Sequence, residues 1–202
     1  MTRISYIDKP TDLSGEQKEA YDYINQSRKK VVGIFSFLLN SPSIAKLTAD
    51  LGAYLRFDSI LPANIKELVT LVTLSENYCQ FEWSGHEGYA LKAGVSQYTI
   101  DIIKHKHALT NLNPKEQTII RYGRELINNK RVSSTVFSEL KKLFNDVEIT
   151  EITTLIGYYS MVACSLNAFE LGPQPGKPAL SEPTIKQPSK STNQTATEEQ
   201  SA

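Results

Sequence analysis

Glu67, Cys79, Glu82 and His86 lie close together in one largely apolar stretch, and their side chains are the ones in this chain best suited to chemistry. Cys79, Glu82 and His86 occupy relative positions 0, 3 and 7, which an α-helix of about 3.6 residues per turn brings onto one face. A neutral imidazole can both take and give a proton near neutral pH. Glu82 stands one helical turn before His86, so it can pair with the ring and fix its tautomer. Glu67 sits in the apolar run 65–74, where a carboxylate is costly to bury unless something pairs with it. His86 is the partner expected for it. Cys79 has two readings. At a helix start its thiol should ionise more readily, which suits a one-cysteine peroxidase; otherwise it is a small buried hydrophobe. Tyr158 and Tyr159 are further candidates to bring a phenol donor to the same cavity, although aromatic residues in a core helix more often serve packing. His105 and His107 are spaced to face different sides of a helix, which argues against a metal pair. No glycine-rich phosphate loop or zinc-type spacing appears, and the candidate residues call for no metal or cofactor.

Three stretches resemble the carboxymuconolactone decarboxylase superfamily, which also contains the alkyl hydroperoxidase D-like proteins. The first is KELV from Lys66, whose Glu67 lies 19 residues before His86. The second is CQFEWSGH from Cys79 to His86, followed by EGYALKAGVS; the third is EITTLIGYYSMVACSLNAF at 151–169. Together they cover roughly residues 35–170. The resemblance implies an all-α, alkyl hydroperoxidase D-like helical bundle that assembles as a trimer or hexamer, with Glu67 in its active site.

The departure from the family pattern is informative. The hydroperoxidase branch carries a CxxC pair whose second Cys stands four residues before the His; here that position is Glu82. A dithiol cycle needs one thiolate to attack and a neighbouring thiol to resolve the product. The other cysteine, Cys164, falls in a separate apolar helix. The arrangement Glu82-x-x-x-His86 resembles instead the decarboxylase branch, which does not use cysteine. The function implied is acid–base chemistry on a small organic acid or lactone, with His86 moving a proton while Glu67 and Glu82 orient it. Two alternatives stand beside it: an antioxidant peroxidase running on Cys79 alone with an external thiol, and a non-catalytic oligomeric protein that binds a small molecule in the family cavity.

Composition sets the outer bounds. A chain of 202 residues can form one ordinary domain with a full core. The formal net charge is zero, so there is no basic field to attract nucleic acid or an anionic membrane. The N-terminal residues lack the apolar stretch of a secretory signal, no apolar run reaches the length of a membrane span, and two widely separated cysteines make no disulfide framework. A cytoplasmic location is the expectation. From Pro173 the chain turns rich in Pro, Ser, Thr and Gln with no aromatic residue. This divides it into an all-α domain at 1–172 and a segment at 173–202 expected to be disordered and dispensable.

Eight helices are expected in the domain. Ser14 caps the first through about Lys30, and Ser41-Pro42 starts the second, with Ile44, Leu47, Leu51, Tyr54 and Leu55 recurring at helical spacing. Pro62 opens the third, and the fourth carries the motif and stops at Gly94. Ser96, Asn113, Ser133 or Ser134, and Thr150 begin the remaining four. The third and last are apolar almost all round, which suggests burial in an oligomer interface as well as in the core.

Overall fold

The computed structural model describes residues 2–181. Among these residues all regular structure is helical: α1 Gly15–Arg28, α2 Ile34–Leu38, α3 Pro42–Ala53, α4 Ala63–Glu76, α5 Gln80–Lys92, α6 Gln97–Lys104, α7 Pro114–Asn129, α8 Ser134–Leu143 and α9 Asp146–Ala168. A short 3₁₀ turn at Pro10–Asp12 precedes them, and α3 runs directly into a π-helical turn at Tyr54–Asp58. No described helix is long and apolar enough to cross a membrane.

The capping residues explain most boundaries. Ser96, Asn113 and Ser133 each accept a hydrogen bond from a backbone N–H in the first turn that follows, and Asn113 forms a reciprocal capping box with Glu116. The last helix departs from the expected start at Thr150. Asn145 caps it through a second capping box with Glu148, so it begins at Asp146, four residues before Thr150. The short α2 was not anticipated from the sequence pattern.

α4 is the hub. It packs against α5, α7 and α9, and every side chain from Leu68 to Ser75 is buried. Its polar members are satisfied locally: Thr73 donates to the Val69 carbonyl at 2.8 Å and Ser75 to the Ile103 carbonyl at 3.0 Å. At Gly123 a Cβ would fall 2.6 Å from Val72 Cγ1, so the missing side chain sets how closely α7 approaches. The large apolar side chains of α4 and most of those of α9 are buried inside one chain, while Val147 and Met161 of α9 remain exposed.

More exposed apolar surface lies elsewhere. On α3 the small residues Ala45, Thr48, Ala49 and Gly52 are buried, while Ile44, Leu47, Leu51 and Tyr54 face outward, Leu47 with 66% of its surface accessible. Of the expected stripe, Ile44, Leu47, Leu51 and Tyr54 point away from the core and Leu55 points into it.

The segment after α9 also departs from expectation. Residues 173–181 run back along α5, where Gln80 donates to the Leu180 carbonyl and accepts from the Leu180 N–H, both at 2.8 Å, and Leu180 is buried. The rest of the segment expected to be disordered, 182–202, lies outside the described residues.

Candidate active site

His86 lies on the buried side of α5, held between two helices. Its Nδ1 is 2.7 Å from Glu67 Oε2 on α4, and its Nε2 is 3.1 Å from the Tyr159 hydroxyl on α9. Tyr159 packs edge-on against the imidazole, as does Tyr89 from the next turn of α5. Burial pushes the Tyr159 hydroxyl well above its ordinary pKa, reinforced by the charges of Glu82 and Glu67, so it remains a protonated donor. When Tyr159 donates to Nε2, the imidazole carries its proton on Nδ1 and donates it to Glu67. Glu67 and Tyr159 together fix the orientation of the ring.

His86 lines a cavity of about 320 Å³, which Glu82, Tyr158 and Tyr159 also line. Glu82 Oε2 stands 3.7 Å from Nε2, beyond a direct hydrogen bond. Burial raises the Glu82 pKa, opposed by the charges of His86, Arg56 and Arg28. A carboxyl raised in this way can hold a proton to deliver. Arg56 is presented by the π-helical turn, whose backbone is fixed by Lys66 donating to the Arg56 carbonyl at 2.6 Å. A second cavity of about 330 Å³ lies behind, lined by Glu67, Lys66, Arg56, Tyr89 and Tyr159 among others.

The structure thus brings Glu67, Glu82 and His86 together but not Cys79. Cys79 is the N-cap of α5, with no accessible surface, and it does not line the cavity. Burial drives its thiol up to about 12, outweighing the hydrogen bond from the Glu82 backbone that would lower it. The expected ease of ionisation at a helix start is overturned because desolvation of a thiolate dominates the end of a helix dipole. Cys164 is exposed and both thiols are free. His105 and His107 lie with rings 5.5 Å apart on the surface, and among the described residues no cluster of three His, Cys, Asp or Glu side chains could hold a metal.

With this geometry in view, comparison with known proteins places the chain. The carboxymuconolactone decarboxylase family matches residues 42–125. A peroxidase-related protein with an alkylhydroperoxidase AhpD core from Ralstonia eutropha JMP134 superposes with a TM-score of 0.70 at 14% identity, covering 86% of this chain and 93% of that one. Over residues 42–125 the chain is thus similar to the carboxymuconolactone decarboxylase family, and it shares the alkyl hydroperoxidase D-like fold. A peroxidase-related protein from Silicibacter sp. TM1040 superposes with a TM-score of 0.68 at 14% identity, covering 86% of this chain and 92% of that one. The debrominase Bmp8 also shares the fold, with a TM-score of 0.68 at 12% identity and coverage of 84% and 92%; a Cys-to-Ala variant of it has been seen with 2,3,4-tribromopyrrole. No curated protein sequence matches this chain. These likenesses show the fold and name no reaction for this chain.

Three cavity or supporting residues were not legible beforehand. Arg28 comes from α1, outside the matched family region, and Arg56 from an irregular turn. Glu151 is buried at the start of α9, where it accepts from Ser59 Oγ at 2.6 Å, the Tyr54 hydroxyl at 2.7 Å and the Ile60 N–H at 3.1 Å. It thereby anchors the turn that carries Arg56. A carboxylate followed by apolar residues at helical spacing was the available signal, the same one that pointed to Glu67.

Proposed function

We propose that this protein is an acid–base enzyme acting on a small organic acid or lactone, in the manner of a carboxymuconolactone decarboxylase-like lyase. The observation that supports this reading is His86 oriented by Glu67 and Tyr159, on the wall of a cavity that a raised-pKa Glu82 also lines. For a decarboxylation, the bond from carbon to carboxylate breaks and its electron pair passes into a conjugated carbonyl, giving an enolate. Tyr158 or Tyr159 donates a hydrogen bond to the enolate oxygen. Protonated Glu82 gives its proton to the carbon, CO₂ leaves, and Glu82 recovers a proton from water by way of His86. A panel of lactone acids and unsaturated acids, followed by CO₂ release, tests the proposal. Turnover that collapses in His86→Ala is expected; turnover unimpaired in that variant would sink it.

A peroxidase reading remains because two superposed relatives are named as peroxidase-related. It requires peroxide to reach Cys79 and convert its thiolate to a sulfenic acid that an external thiol then reduces. The sealed, weakly acidic thiol weighs against it. Trapping sulfenic acid at Cys79 under peroxide would reverse that judgement. A binding protein without chemistry would instead be recognised by a co-purified acid and no turnover. We also place the homo-oligomer interface at the exposed apolar face of α3, in a cytoplasmic trimer or hexamer; a monomeric mass in light scattering would refute this.

A further inference from the structure

The cavity beside His86 is electrostatically lopsided. The chain as a whole has a formal net charge of zero, yet Arg28, Lys30 and Arg56 line this cavity against a single carboxyl, that of Glu82. Arg3, Arg121 and Arg124 each find a carboxylate partner. Arg28 and Arg56 have no carboxylate within ion-pair distance among the described residues, although both are packed rather than free in solvent.

Arg28 lies 4.3 Å over the Phe35 ring and donates through Nη2 to the Ala49 carbonyl at 3.3 Å. Its Nε is shielded and meets no acceptor among the described residues, so turning toward an incoming anion would forfeit nothing at that atom. Room for the group is built into α3. A Cβ at Gly52 would come within 2.8 Å of Arg28 Nη2 and 2.2 Å of the Tyr158 hydroxyl, so only a residue without a side chain leaves both in place. Arg56 is stacked between aromatic rings, 5.3 Å from the centre of Phe57 and 5.9 Å from that of Tyr89. A guanidinium held on apolar faces keeps its donor fork available for a carboxylate.

We propose that Arg28 and Arg56 form an anion-reading wall, and that the substrate is a small organic acid with one carboxylate that is bound there and survives the reaction. This rests on the acid–base reading of the same cavity and adds to it which part of the substrate reacts. An ion pair with two guanidinium groups stabilises a carboxylate more than neutral CO₂, so the group held by the wall is protected from loss. The reacting carbon is the one presented to His86 and Glu82. Arg28 lies outside residues 42–125 and Arg56 within them, so only the Arg28 half of the wall comes from the N-terminal helix.

Succinate, its monoamide succinamate and the neutral succinamide serve as probes, with binding followed by calorimetry and by the Arg28 Nε–H resonance in ¹⁵N-arginine-labelled protein. Succinate is expected to bind in the millimolar range or tighter and to shift that resonance, while succinamide does neither. Arg28→Gln and Arg56→Gln should each weaken succinate about tenfold or more, with Arg28→Lys intermediate because it keeps the charge and loses the fork. Gly52→Ala, which alters no charge, should weaken succinate by displacing Arg28. Melting curves of each variant separate loss of binding from loss of fold. Equal binding of succinate and succinamide, no binding of succinate, or unchanged affinity in folded Arg28→Gln and Arg56→Gln would each overturn the wall. His86→Gln should keep succinate binding. If it also keeps turnover of a working substrate, the acid–base reading fails while the wall stands.

Discussion

Glu82 and Glu151 are the same side chain, the first half-buried beside a cavity and the second buried among hydrogen-bond donors, and the fold treats them oppositely. Around Glu151, burial alone would raise the pKa, but Ser59, Tyr54 and the Ile60 N–H supply hydrogen bonds that hold it below the ordinary value. Glu82 receives no such set. Burial dominates there and the pKa is raised, despite the nearby charges of His86, Arg56 and Arg28. A carboxylate wrapped in short-range donors is committed to its charge and to the structure. One left facing a cavity keeps its proton negotiable. Glu76 follows the Glu151 pattern: burial is outweighed by Asn128, Lys106 and Arg124, and its pKa is lowered. The exception among these acids is thus the one beside His86.

The strongest way to break the comparison is to neutralise Glu82. In the acid–base scheme Glu82→Gln should lower turnover by about 10²–10⁴-fold, and at neutral pH it should not destabilise the fold. A variant with full activity would reduce Glu82 to a bystander. Next in size is Glu151→Ala, which strands the Ser59, Tyr54 and Ile60 donors and frees the Arg56 turn. A loss of about 2–4 kcal/mol is expected in denaturant unfolding; a loss under about 0.5 kcal/mol would mean the latch is ornamental.

The pH dependence of stability gives a finer test, because the two acids carry opposite signs. Glu151 binds its proton less readily folded than unfolded, so its contribution is present above the unfolded pKa and lost as pH falls through the lower folded value. Glu82 binds its proton more readily when folded. Its contribution is fully present below the unfolded pKa and is lost as pH rises through the raised folded value. Glu151→Gln should therefore flatten the acidic limb of a melting-temperature profile and Glu82→Gln the limb above it. The same limb flattened by both would contradict the assignment. The smallest effect belongs to Cys79→Ala, expected to cost about 1 kcal/mol for the small void it leaves and to spare turnover; lost turnover would point back to the thiol.

How much of this was legible in the sequence varies with the physics involved. The caps at Ser96, Asn113 and Ser133 are local hydrogen-bond signals, and they placed α6, α7 and α8 almost to the residue. Glu67, Glu82 and His86 were readable because helical spacing and an acid in an apolar run are both properties of short segments. The α3 stripe misled because periodicity reveals that a helix has two faces without saying which one turns inward. Here the small face of Ala45, Ala49 and Gly52 was the packed one. Arg28 carried no signal, since its role depends on which helix α1 lies beside. The two readings of Cys79 stayed open because the helix start was visible and the depth of its burial was not; the structure agrees with the buried one.

One consequence follows from Glu67 lining a different cavity from its partner His86. His86 lines the chamber that Glu82 also lines, while Glu67, 2.7 Å from its Nδ1, lines the other. Filling the front chamber therefore leaves the Glu67 carboxylate open to water from the rear. Solvent hydrogen can exchange through the rear while a ligand is still in residence, so a product formed in D₂O should carry deuterium from the first turnover. Closing the rear with a bulky side chain at Ala63, which lines only that chamber, should slow the exchange without changing what binds in front.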